Sequence, residues 1–365
     1  MRSDDELAIL SLPNETLTTI FECLDRQSLV TLLRVCQRLQ AVGERILYEN
    51  IHIVEDVDCS PPSVFTPYRT IACCDTITRQ PHRPSLVRTI HVRWRVARPQ
   101  RYDILLSHSV IPRLRHVLQL AFHLESLELH LPGFGGRFEE ILDGCKFRLR
   151  NLSLSGPVDR PIEWYLRTQP AIVHLHLADQ HKPLKLARED LPVLETFRGD
   201  PRAAASIIPM RPVHGLALSG YEPNEECLLA FAFASKPIRN LDLGGLAITP
   251  MLLMAIAKHL SAIECLRLKL ALRHTLHFTF SGMMLLEGLT RVLQRFHRLA
   301  RLDLSPTIVD GIQSVKTEMD ELKLCIAWAG VCSTLRRITF PSGTEWTKAC
   351  DGVWGTHQVG FVSRK

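Results

Sequence analysis

Apolar residues recur along most of this chain in one short pattern, apolar-x-x-apolar-x-apolar. It starts at Val87 (VRTIHV) and returns at Leu124 (LESLEL), Leu149 (LRNLSL), Ile172 (IVHLHL), Val213 (VHGLAL), Ile238 (IRNLDL), Ile263 (IECLRL), Leu299 (LARLDL) and Leu335 (LRRITF). LETF at Leu194 is a damaged copy, and YENIHI at Tyr48 reads as a first, capping copy. Counted from Val87, the starts lie 37, 25, 23, 22, 19, 25, 25, 36 and 36 residues apart. The alternation within each copy predicts a strand with one face inward. Helical stripes fall between copies, as at 225–236, 250–260 and 283–296. Strand then helix, repeated, predicts parallel strands with helices outside them. No unit of this size buries its own apolar face, so neighbours must stack into a curved solenoid, parallel strands inside the curve. The expected class is α/β.

The first 53 residues follow another period. Leu17, Ile20, Phe21 and Leu24 share one helical face; Leu29, Leu32, Leu33 and Cys36 share a second; Val35, Leu39, Val42 and Ile46 share a third. Pro13 suits a first helical turn and Asp25 can cap the second helix. Three helices in so few residues sit near the lower limit for independent stability. Leu12, Pro13, Ile20, Leu24, Leu29 and Val35 are more apolar groups than the block can bury. The surplus calls for a partner, or for the rest of the chain as the surface these helices cap.

The stretch LPNETLTTIFECLDRQSLVTLLRVCQRL, closing on LYENIHI, resembles an F-box over residues 10–53. It shares the Leu-Pro, the Ile-Phe pair, the Leu-Asp, the apolar helix with Val-Cys, and the Leu-Tyr that leads into a first strand. It departs at Leu39, where many F-boxes carry Trp. With its repeats, the chain is similar to F-box proteins bearing degenerate leucine-rich repeats, a type abundant in fungi. The resemblance implies docking onto a Skp-family adaptor of a cullin-RING ubiquitin ligase, with Leu12, Pro13, Ile20, Leu24, Leu29 and Val35 facing the adaptor and the repeats holding a target protein. The repeats lack the Asn that follows the strand in that family; Pro132, Pro157 and Leu246 stand near its place. Irregular curvature is therefore expected.

This divides the chain into an F-box (1–53), a linker with a short helix at RTIACCDTITR (54–86), an irregular leucine-rich-repeat-like solenoid (87–345) and a tail (346–365). Trp346, Trp354 and Phe361 in or near that tail are expected to cover the open end of the core.

Composition narrows the function classes. The 365 residues are 46% hydrophobic and 22% charged, a globular balance. A net charge of +6, spread along the chain, does not point to nucleic acid. Eleven cysteines with no C-x-x-C spacing read as reduced thiols of an intracellular protein, cytoplasmic or nuclear. The acidic start MRSDDELAIL is unlike a signal peptide, and no apolar run approaches the ~18 residues of a membrane span.

Chemistry-bearing motifs are few. No phosphate-binding loop, nucleophile elbow or H-E-x-x-H occurs, and GFGG at 133–136 reads as a turn. No catalytic residue and no cofactor are expected. His174 and His176, with His181 nearby, are spaced for one strand face but lack a third ligand. Arg88, Arg93, Arg95, Arg98 and Arg101 surround Trp94, which fits either phosphate and base stacking or a solvated repeat edge. The residues alternating with the inward leucines would line the concave face: Glu128, His130, Asn151, Ser153, His174, His176, Asn240, Asp242, Arg267, Lys269, Arg301 and Asp303. A partly acidic protein segment is the ligand expected at the later, charged end. The alternative to a ligase receptor is a protein–protein interaction scaffold outside any ligase.

Overall fold

The computed structural model describes residues 8–57, 66–96, 110–132, 138–155, 162–270, 288–307 and 316–357. They form two compact units, Met1–Ile172 and Val173–Lys365.

The first unit opens with a 3-10 turn, Ala8–Ser11, and three helices: α1 (Asn14–Glu22), α2 (Arg26–Leu32) and α3 (Gln37–Glu49). Asp25 caps α2, accepting hydrogen bonds from the Gln27 and Ser28 amides at 2.9 and 3.0 Å. Leu17, Phe21, Leu29 and Leu39 form the core of this bundle. Leu39 is 2% exposed, so leucine here serves as a core residue. Gly43 on α3 lies against Leu29 and Leu33, where a Cβ would collide with the Leu33 side chain.

α3 runs directly into β1 (Asn50–Val57), which pairs in parallel with β2 (Thr89–Val96) over eight residues. Between them lie α4 (Tyr68–Thr78) and α5 (Arg83–Leu86). Glu55 of β1 caps α4 from a distance: it accepts from the Arg69 amide at 2.6 Å, the Thr70 amide at 3.1 Å and the Thr70 hydroxyl at 2.7 Å. α6 (Val110–Leu120), β3 (Ser126–His130), α7 (Phe138–Leu142), β4 (Asn151–Ser155) and α8 (Glu163–Arg167) complete the unit. All the strand pairs from β1 to β4 are parallel and in one register, Ile51–Ile90–Leu127–Leu152 and Ile53–Val92–Leu129–Leu154, all buried.

The second unit continues the same local rule. β5 (His174–Leu177), β6 (Thr196–Gly199), β7 (Gly215–Leu218), β8 (Asn240–Ile248), β9 (Cys265–Leu270), β10 (Arg301–Asp303) and β11 (Arg337–Thr339) pair in parallel, each with the next. Leu175, Phe197, Leu216, Leu241, Leu266, Leu302 and Ile338 form one buried row across them. Each copy starts with one carbonyl accepting two consecutive amides of the next: His214 receives Arg239 and Asn240, Arg239 receives Glu264 and Cys265, Glu264 receives Ala300 and Arg301. This repeated contact sets the register and explains why copies of different length still align.

Helices α9 (Pro201–Ile207), α10 (Glu225–Ala232), α11 (Pro250–His259), α12 (Thr290–Leu293) and α13 (Lys316–Val331) fill the connections. The damaged copy LETF is a full partner in the sheet as β6. It ends at Gly199, where a Cβ would stand 2.6 Å from the Leu177 carbonyl oxygen, so only glycine admits that approach. Near Leu246, β8 shifts register between Leu243 and Ala247, at Gly244–Gly245. At the end of the unit the direction reverses: β12 (Glu345–Lys348) and β13 (Trp354–His357) pair antiparallel after β11. Trp346 and Trp354 are buried there, 6% and 8% exposed. Phe361 lies outside the described residues, as do Pro157, Arg98 and Arg101.

Candidate functional site

The residues singled out in the sequence stand on the N-terminal bundle and on the polar strand face of each unit. On the N-terminal bundle the six apolar candidates divide by burial. Leu29 is 3% exposed and lies in the core with Leu17, Phe21 and Leu39, not on the bundle's surface. Leu12 and Leu24 are half-buried against that core. Pro13 is exposed, Ile20 is 38% exposed and Val35 is 59% exposed. Val35 precedes α3 rather than riding on it, because Cys36 is the N-cap of that helix. Val30, at 37%, is a further exposed apolar group that its position between two leucine stripes concealed.

The segment carrying Leu12 and Pro13 is held by Arg38 of α3. Its guanidinium donates to the Leu10 carbonyl, to the Leu12 carbonyl at 2.6 Å, and to Asn14 Oδ1 at 3.1 and 3.2 Å. One planar fork thus fixes the entry to α1. On the opposite end of α3, buried Glu44 accepts from Arg83 at 2.8 Å and Gln40 at 3.1 Å and meets His82 Nε2 at 2.6 Å. Burial alone would raise the Glu44 carboxyl, but these hydrogen bonds outweigh it and hold it below its ordinary value. Arg83 also lies over the Tyr48 ring at 5.0 Å.

The family comparison bears on this bundle. Residues 9–54 match the F-box-like family. The N-terminal block is an F-box-like domain, spanning the 3-10 turn, α1 to α3 and the first half of β1. No curated protein matches the chain.

Also in the first unit, Glu128, His130, Asn151 and Ser153 stand on the strand face opposite the leucines. Glu128 is bound by Arg93 at 2.5 Å with His91 at 3.8 Å, and is held below its ordinary value by that neighbour despite burial. His91 packs edge-on to His52 at 4.6 Å, and burial pushes its imidazole pKa down. Trp94 is fully buried, its indole N–H on the Thr70 hydroxyl at 3.2 Å. It is therefore a core residue, not a stacking platform.

In the second unit the corresponding face is charged in alternation. Arg267 sits between Asp242 at 3.4 Å and Asp303 at 3.2 Å. Arg301 and Arg337 share Glu345 at 3.8 and 3.4 Å. An open cavity of about 480 Å³ brings together Asn240, Asp242, Arg267, Arg301 and Asp303 from the sequence candidates. It also takes in Thr196, Arg198, Gly215, Ala217 and Cys265, which sequence reasoning passed over. The available signal was VHGLAL itself, whose two positions alternating with the leucines are Gly215 and Ala217. They leave a floor without side chains where neighbouring copies carry Asn, Asp or Arg.

His174, His176 and Lys269 are outside this cavity. His174 Nδ1 engages the Thr196 hydroxyl at 2.7 Å and His181 engages Asp200 at 3.2 Å, so the three histidines do not converge on one point. Among the described residues no three His, Cys, Asp or Glu side chains are placed to hold a metal. The ten described cysteines are free thiols. Burial raises Cys73 to about 11 and Cys74 and Cys145 to about 12, which keeps them protonated and unreactive. No described helix is long and apolar enough to cross a membrane.

Proposed function

We propose that this chain is a substrate receptor of a Skp-cullin-F-box ubiquitin ligase, with the F-box-like domain on the adaptor and the repeats on a target protein. The observation that carries the reading is the match over residues 9–54 together with apolar groups left outside a bundle that already has its own core: Pro13, Ile20, Val30 and Val35. Exposed apolar residues gathered on one small domain are a docking signature. The strand-and-helix units with a shared leucine row support leucine-rich-repeat-type units from β2 to β11, and their polar strand face is the proposed target surface. The receptor contributes proximity, raising the effective concentration of a target lysine, and the bond-making belongs to other subunits.

Co-expression with a Skp-family adaptor, followed by size-exclusion chromatography, tests this. A one-to-one complex is expected, and Ile20→Asp with Val35→Asp should abolish it without unfolding, because both side chains already face water. An unchanged complex in that double variant would defeat the proposed interface. Adaptor binding without any change in target lifetime would leave an interaction scaffold as the reading.

A further inference from the structure

The cavity over β6 to β10 has an uneven charge balance. Both carboxylates that border it are satisfied: Asp242 accepts from the Gly244 amide at 2.8 Å and pairs with Arg267, and Asp303 accepts from the Ser305 amide at 2.9 Å and pairs with the same arginine. Arg301 has Glu345. Arg198 has no hydrogen bond and no ion pair among the described residues, although it is exposed and lines the cavity. Across the strand register Arg198 faces Ala217, and Ala217 faces Asp242. Two strand spacings, about 10 Å, separate the backbone of Arg198 from that of Asp242. Between them the floor is Gly215, Ala217 and the edges of Leu216 and Leu241.

We infer that this cavity is an anchor pocket for an extended segment of the target protein in which an acidic residue neighbours a bulky apolar one. The carboxylate pairs with Arg198, whose planar fork donates two parallel hydrogen bonds to it. The apolar side chain lies over the Gly215–Ala217 floor, where small residues leave room for it. A single unpaired guanidinium matches the single charge of an Asp or Glu side chain, and the satisfied aspartates repel a second acidic group beyond the floor. The inference rests on the receptor reading for the idea that this face meets a protein, but the pocket and its chemistry stand on their own geometry.

The test is selection of a random heptapeptide library, displayed internally so that no peptide terminus is free, on the full chain in complex with the adaptor. The selected pool should be enriched in Asp or Glu beside Phe, Leu, Ile or Trp. Arg198→Ala should weaken synthetic versions about tenfold or more, the loss of a charge-assisted pair. Arg198→Glu should turn the selected charge to Lys or Arg, and Ala217→Leu should abolish selection by filling the floor. A pool without acidic residues, one indifferent to Arg198→Glu, or binding only by peptides with a free C-terminal carboxylate would overturn the pocket. Adaptor binding, measured on the same samples, reports separately on the receptor reading.

Discussion

At the scale of single residues, three polar side chains do more than their sequence positions announce. Glu44 holds α5 to the F-box-like domain through Arg83, so Glu44→Ala should cost about 3 kcal/mol in chemical denaturation, since Arg83 is left without its carboxylate. The folded-state carboxyl of Glu44 lies below its ordinary 4.5, so its contribution is complete above that value and is lost as pH falls below it. Glu44→Gln should therefore flatten the acid limb of the stability profile. Glu321 has the opposite sign. It is 1% exposed and accepts from Ser342 at 2.6 Å and the Trp346 indole at 2.8 Å, yet burial wins and raises its carboxyl above 4.5. The folded state then binds the proton more tightly than the unfolded one, and stability from this group falls as pH rises past 4.5. Glu321→Gln, which keeps an acceptor for the indole, should be more stable than the wild type at pH 7 and equal to it at pH 4. Arg38→Ala should cost about 1 kcal/mol and speed hydrogen exchange in the Leu10–Asn14 segment, where its donors are lost.

At the scale of elements, the strands follow from alternation alone, while their exact neighbours follow from backbone contacts. Gly199 shows the difference. In the sequence it looks like the loss of an apolar position from LETF; in the sheet it is the residue that lets β6 approach the Leu177 carbonyl. Gly199→Ala should cost about 2 kcal/mol and appear as a lowered melting temperature with the peptide pocket weakened as β6 shifts. The α4 helix makes the same point from the other side. Its own N-cap, Pro67, offers no side-chain acceptor, and Glu55, in another element, supplies one.

At the scale of each whole unit, the first 172 residues combine the F-box-like domain with the first strands rather than leaving it on a tether. α3 continues into β1, β1 pairs with β2 along its full length, and Glu44 is held by Arg83 of α5. A fragment ending at Val57 should accordingly melt at lower temperature than one ending at Val96, measured by far-ultraviolet circular dichroism. In the second unit, charge reversal at Arg198 should leave adaptor binding intact while removing acidic peptides, because that residue is exposed and makes no hydrogen bond or ion pair among the described residues.

The sequence by itself determined the elements with a strong period. The copies from Val87 to Leu335 are strands, the damaged one included, and the three N-terminal stripes are helices. Periodicity is local, so it survives without knowledge of what packs on it. It could not rank residues within a stripe: Phe21 and Ile20 carry similar apolar signals, yet one is core and the other exposed. Only the tertiary structure decided that, because burial depends on which neighbour fills the space, as Leu33 fills the space beside Gly43. The cavity, likewise, is made of what Gly215 and Ala217 lack, and Arg198 has no ion pair among the described residues while the two aspartates that line the cavity are engaged by Arg267. Absent side chains and exhausted partners are properties of an arrangement, and no single stretch of sequence carries them.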